Sequence, residues 1–164
     1  MKKRILSLVL AFACLCVLSS CGGEADGPTG YTTDAVTLLA EGGAFSEELE
    51  PLDGDIPFAL YGLAGYGLTL EDLTDCAMIR STGATCEEAA VLIWKTEEQA
   101  VQAKDAMADY LQSQIDTNVD YRPAEIPKLE NAKLSQLGKT VLLVVANDYS
   151  AAEKAVPYLG VAEN

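Results

Sequence analysis

Cys76-Ala77-Met78-Ile79-Arg80, then Ser81-Thr82-Gly83-Ala84, then Ala89-Ala90-Val91-Leu92-Ile93-Trp94 stand in this order near the centre of a chain of 164 residues. Two apolar runs on either side of a turn signal predict a β-hairpin. The second run is apolar at both parities, and so is Val141-Leu142-Leu143-Val144-Val145 further on. A strand with one wet face alternates apolar and polar residues. These two runs therefore predict central strands, covered on both faces near their middles. The second cover is either the 31–57 segment or another copy of the chain.

The neighbouring segments fill in the rest. Thr96-Glu97-Glu98-Gln99 has the capping-box pattern, a hydroxyl followed three residues later by Gln. It predicts a helix over 97–117 with Ala100, Ala103, Met107, Tyr110, Leu111 and Ile115 along one face. Pro123 biases Arg122 away from helix, so Tyr121-Arg122-Pro123 reads as extended. Residues 132–137 and 140–146 flank Gly138-Lys139 as a second hairpin. Ser150-Ala151-Ala152-Glu153 reads as another capping box, opening a last helix that Pro157 and Gly160 end early. Upstream, Thr32-Thr33-Asp34 before an apolar run and Gly42-Gly43 after it predict a short helix. Residues 46–57 read as loop, Phe58-Ala59-Leu60-Tyr61-Gly62-Leu63 as a strand, and Gly65 and Gly67 as turn residues. The resulting fold class is α+β. It has an antiparallel sheet of about four to five strands with helices packed mainly on one face.

The N-terminus reads as an address. Lys2, Lys3 and Arg4 precede an apolar run of 14 residues, 5–18. As a helix that run would span roughly 21 Å, short of the ~30 Å hydrocarbon core, so it predicts a signal segment and not a transmembrane anchor. Leu18-Ser19-Ser20-Cys21 closes it and resembles the lipobox of bacterial lipoproteins. That resemblance implies a diacylglyceryl group on the Cys21 thiol and cleavage just before it. Two acyl chains hold a protein stably at a membrane where one does so only marginally. The expected organisation is a signal peptide over 1–20, a lipid-anchored flexible linker over 21–32, one domain over 33–160 and a tail over 161–164. The glycines, proline and acids of 22–30 cannot bury a core and suit a spacer.

Charge and composition exclude several chemistries. The chain holds 25 acidic and 11 basic residues and no histidine. Without the first 20 residues the basic count falls to 8, a net of −17. Zero histidine removes Ser-His-Asp and Cys-His nucleophiles and His-ligated metals. The acidity argues against nucleic acid, which is bound with clustered Lys and Arg.

A family resemblance rests on ordered strings. Ser81-Thr82-Gly83-Ala84 with Glu87-Glu88-Ala89-Ala90-Val91 comes first. Tyr121-Arg122-Pro123-Ala124-Glu125 follows, with Asn131-Ala132 before Gly138. Val141-Leu142-Leu143-Val144-Val145 before Asn147-Asp148 completes the series. Together with the lipobox, this order resembles a Gram-positive lipoprotein family of the clostridial kind, domain of unknown function 4358. The resemblance spans residues 33–158 and implies an architecture and a surface location. It carries no activity and no catalytic residues. The hairpin cysteines depart from the family's pattern.

Few residues qualify as site candidates. Cys76 and Cys86 lie on the two arms of the first hairpin. They are either a cross-strand disulfide, stabilising by about 2–3 kcal/mol on the loop-entropy model, or two reduced thiols packed as small apolar residues. Acids cluster at Glu47, Glu48, Glu50, Asp53 and Asp55, at Glu71, Asp72 and Asp75, and at Glu87-Glu88, and read as a solvated acidic surface. Asp53-Gly54-Asp55 is the calcium candidate, though it lacks the remaining oxygen ligands of a calcium loop. Tyr61, Tyr66 and Tyr121 are the candidate recognition surface, because a tyrosine ring is apolar while its hydroxyl stays wet. No cofactor is implied. The functional expectation is a non-catalytic binding or interaction domain on the extracellular face of the cell membrane, held there through Cys21 and facing an envelope protein partner. The alternatives are a small-ligand- or cation-binding lipoprotein and, less favoured, a carboxylate-based enzyme.

Overall fold

The computed structural model describes residues 29–159. Cys21, the expected signal segment, most of the expected linker and the expected tail lie outside the described residues. The elements are α1 (Asp34–Glu41), β1 (Glu50–Pro51), α2 (Ile56–Leu60), β2 (Leu73–Arg80), β3 (Glu88–Trp94), α3 (Glu97–Asn118), α4 (Ile126–Glu130), β4 (Lys133–Leu137), β5 (Thr140–Val145) and α5 (Tyr149–Ala155). The five strands form one sheet in the order β1-β2-β3-β5-β4, antiparallel throughout.

The two apolar runs occupy the middle of the sheet, as their patterning predicts. Residues 89–92 on β3 and 141–145 on β5 are fully buried on both faces. Ala90, Leu92, Trp94, Val141, Leu143 and Val145 pack under α3, together with Ala100, Ala103, Ala106, Met107 and Tyr110. Ala89, Val91, Leu142 and Val144 face the other way, against Val36 and Leu39 of α1 and Ala152 of α5. Most of the helix, in α2, α3 and α4, covers the first face. The second cover is supplied by the 31–57 segment through α1, joined by α5. Each buried Val or Leu contributes about 1.5–3 kcal/mol, so a two-sided central pair is the main source of stability.

α3 starts where its sequence says. Thr96 Oγ1 accepts from the Gln99 amide at 3.2 Å and Gln99 Oε1 accepts from the Thr96 amide at 3.1 Å. α5 is capped differently from the expectation. The Asp148 carboxylate, not Ser150, accepts from the Ala151 amide at 3.0 Å. The expected strand at 58–63 does not form. Ile56–Leu60 is a helical turn with Pro57 in its first positions, and Gly62, at φ +64°, turns the chain out of it. A six-residue apolar run has no period long enough to separate strand from helix, and Pro57 decides it. The third strand on this side is instead the short edge β1.

The described chain begins at one end of the sheet. The Tyr31 amide donates to Thr140 Oγ1 at 2.8 Å, the Tyr31 hydroxyl bonds Ser135 Oγ at 2.7 Å, and it donates to the Tyr158 carbonyl at 3.0 Å. The β4–β5 turn lies beside it. Gly138 sits at φ +54°, and a Cβ there would stand 2.6 Å from the Thr29 carbonyl oxygen. Trp94, the last residue of β3, donates its amide to the Lys139 carbonyl at the same end. The 81–87 loop and the C-terminus of α3 therefore lie at the opposite end of the sheet.

Candidate functional site

The loop end of the sheet carries a polar network, and its local sequence explains why. Register pairs Arg80 with Glu88, leaving residues 81–87 to close the hairpin. The Ser81 amide donates to the Glu87 carbonyl at 3.0 Å. Ser81 Oγ accepts from the amides of Gly83 and Thr85 at 3.2 and 3.0 Å, which folds the loop on itself. Glu47, from the α1–β1 connection, then accepts from Ser81 Oγ at 2.6 Å and Thr85 Oγ1 at 2.9 Å. Those two hydroxyls hold its carboxyl below the ordinary carboxylate range.

The segment after α3 closes over the same loop. Arg122 Nη1 donates to the carbonyls of Gly83 and Thr85, and its Nε donates to Asn118 Oδ1 at 2.7 Å. Glu125 Oε2 accepts from the Cys86 amide at 2.9 Å, and Glu125 Oε1 stands 3.1 Å from Lys128 Nζ. The family strings around 81–88 and 121–125 are thus brought together in one site.

Two adjacent carboxylates lie at its centre. Successive residues of a strand point to opposite faces, and here both faces are covered. Glu87 is fully buried. Lys128 Nζ lies 2.7 Å from its Oε1, Ser46 Oγ donates to Oε1 at 2.6 Å, and the Ser46 amide donates to Oε2 at 2.8 Å. Glu88, 1 % exposed, points under α3. Its Oε2 takes the Arg80 Nε at 3.1 Å and the Tyr110 hydroxyl at 2.9 Å, while its Oε1 is buried with no partner. Burial pushes the Glu88 carboxyl up to about 7, against the opposing pull of Arg80 and Tyr110. Burial and the neighbouring Glu88 raise Tyr110 as well.

The sequence candidates fall elsewhere or change character. Glu87 and Glu88 were expected on a solvated acidic surface and are the most deeply buried acids described. Their signal was position, two acids at the mouth of a strand apolar at both parities. The disulfide does not form: both thiols are free, and register sets Cys76 opposite Leu92, not Cys86. The loop is longer than a tight turn, so Cys86 lies beyond the paired residues. Burial pushes both thiols up. Of the three tyrosines only Tyr121 is an exposed surface residue, at 86 %. Tyr61 is buried in the core, 4.9 Å from the Tyr110 ring in an edge-on contact, and its hydroxyl donates to Met78 Sδ. Tyr66 is half-buried and donates its hydroxyl to Asp109. Asp53 and Asp55 face solvent before α2. Among the described residues no group of three or more His, Cys, Asp or Glu is placed to hold a metal ion.

The family model described as Domain of unknown function (DUF4358) matches residues 64–146, half of the chain. The chain belongs to that family. The matched stretch contains β2 to β5 with α3 and α4, and so both arms of the loop network. No curated protein and no solved structure matches the chain.

Proposed function

We propose that this member of the DUF4358 family is a lipid-anchored, non-catalytic interaction domain on the outer face of the cell membrane, presenting the loop end of its sheet to an envelope partner. The observation that carries the reading is Leu18-Ser19-Ser20-Cys21 directly behind a basic n-region and a 14-residue apolar run. Among the described residues no helix is long and apolar enough to cross a membrane. A tether at Cys21 would meet the fold at Thr29–Tyr31, beside Gly138. The loop end would then face outward, away from the bilayer. There Val119 is 51 % and Tyr121 86 % exposed, flanked by the exposed acids Asp116 and Asp120. A large exposed ring beside a charged rim suits protein recognition.

Glu88 is the observation that favours the carboxylate-enzyme alternative. A catalytic acid must reach its substrate. Glu88 lines neither the apolar groove of about 150 Å³ between Tyr31, Leu38 and Val156 nor the polar groove of about 240 Å³ between Thr37, Asp53 and Cys76.

Two measurements test the interaction reading. Cys21→Ala should move the protein from the membrane fraction to the soluble one and remove diacylglyceryl from the mature N-terminus by mass spectrometry. A photo-crosslinking residue at Tyr121, in intact cells, should give a discrete adduct that the same residue at Lys139 does not. An unlipidated wild type refutes the anchor. Equal adducts at both positions refute the outward-facing loop end.

A further inference from the structure

The Glu88 site has a geometry that the interaction reading does not use. β1, β2 and β3 pair so that Glu50, Arg80 and Glu88 form one row across the sheet. Directly paired residues share a face, so Arg80 has an acidic residue beside it on each neighbouring strand. One of them, Glu50, is exposed, and the other is buried. Arg80 itself is 33 % exposed on its side chain, so the one cation paired with Glu88 among the described residues reaches solvent.

Apart from Arg80, the side chains that act directly on Glu88 are the uncharged Tyr110 and Tyr61. Tyr110 faces it from α3 and donates to Oε2. Tyr61, after α2, packs on the Tyr110 ring, and its hydroxyl also favours the ionised form of Glu88. Cys86 precedes it in the loop, with Arg122 and Glu125 beyond that thiol. Val145 of β5, its register partner, carries no charge. An ionised carboxylate here leaves Oε1 bare in a dry site, and a buried acceptor without a donor forfeits its hydration. A proton on the carboxyl removes the charge that Arg80 holds.

We propose that Glu88 is a proton-operated latch on the first hairpin: ionised, it binds Arg80 across β2 and β3 beneath the 81–87 loop; protonated, it releases Arg80 to solvent and to Glu50. The carboxyl's upward displacement toward neutral pH supports this geometry. The loop end thereby responds to the acidity of the surrounding solution in the range where an ordinary surface glutamate is silent. The switch moves one proton and breaks one ion pair, and it needs no ligand.

The test follows the Glu side-chain carboxyl carbons and the Arg80 Nε signal by NMR through pH 3–9, on the whole domain with its linker. One carboxyl is expected to titrate near pH 7, and the Arg80 signal is expected to move with the same midpoint. The carboxyl signal should be absent from Glu88→Gln. Tyr110→Phe removes a donor to the ionised form and should raise the midpoint. A Glu88 midpoint in the ordinary range near ~4.3 overturns the proposal, and so does an Arg80 signal that ignores the titration. Both readings come from the wild type, so they hold even where a variant fails to fold.

Discussion

Glu87 and Glu88 are neighbours in sequence, identical in chemistry and equally hidden from water, yet the fold treats them in opposite ways. Glu87 has donors on both oxygens, among them a lysine at 2.7 Å. Glu88 has both donors on one oxygen and none on the other. The difference lies in hydrogen-bond satisfaction and not in burial. What decides is how many donors the surrounding elements bring. Glu87 meets a loop and a helix end, both rich in polar groups. Glu88 meets the packed face of α3, which offers a single hydroxyl.

The comparison yields graded expectations. The largest effect should come from Lys128→Met, which strands Glu87 as a buried charge without its cation. Losing one partner of such a pair costs about 3–5 kcal/mol, to be read by urea unfolding at pH 7. A loss below about 1 kcal/mol would mean that Ser46 alone holds the carboxylate.

Next comes the pH dependence of stability. The folded Glu88 binds its proton more tightly than the unfolded one, since burial raises it from the usual 4.5 to about 7. Between those values the native state holds more protons, so stability should fall as pH rises, and level off above about 7. The fall from this group is of order 3 kcal/mol by linkage. Glu88→Gln should flatten that part of the curve in urea titrations at several pH values, and an unchanged slope would assign it to other groups.

A smaller loss is expected for Ser46→Ala. It deletes one charge-assisted bond to Glu87 and leaves the backbone donor in place, costing about 1.5–3 kcal/mol. Smallest is Glu88→Met at pH 8. An apolar side chain of similar length replaces an incompletely satisfied acid, so the change should be within about 1 kcal/mol of neutral or stabilising. The same substitution at Glu87 should be clearly destabilising. Equal effects at the two positions would erase the contrast between them.

Local signals made most of the sheet and the long helix legible. The Thr96 capping box and the spacing of Ala100, Ala103, Met107 and Tyr110 act within one element, and the structure keeps both. The parity of 89–94 and 141–145 revealed two-sided burial before any partner was known. Phe58 to Leu63 failed because the run was too short for its period to outweigh Pro57. Cys76 and Cys86 failed because loop length sets register, and a seven-residue loop held by Ser81 and Glu47 looks like a tight turn in sequence. The site was the least legible part. Glu87 and Glu88 resemble any acidic surface pair until Lys128, Ser46 and Tyr110 arrive from distant positions and Arg80 from across the hairpin. Partners more than 20 residues away leave no periodic trace.

Tyr31 has a mechanical consequence. Its amide and hydroxyl fasten the start of the described chain to Thr140 on β5, Ser135 on β4 and the backbone at Tyr158. Tension arriving along the N-terminal segment meets these three bonds before it meets α1. The pull is spread over a central strand, an edge strand and the C-terminal segment, and the helix behind is spared. On the proposed anchor, Tyr31 would work as a cleat: drag on the leash would be taken up at one end of the sheet, while the Glu87–Glu88 network at the other end kept its shape.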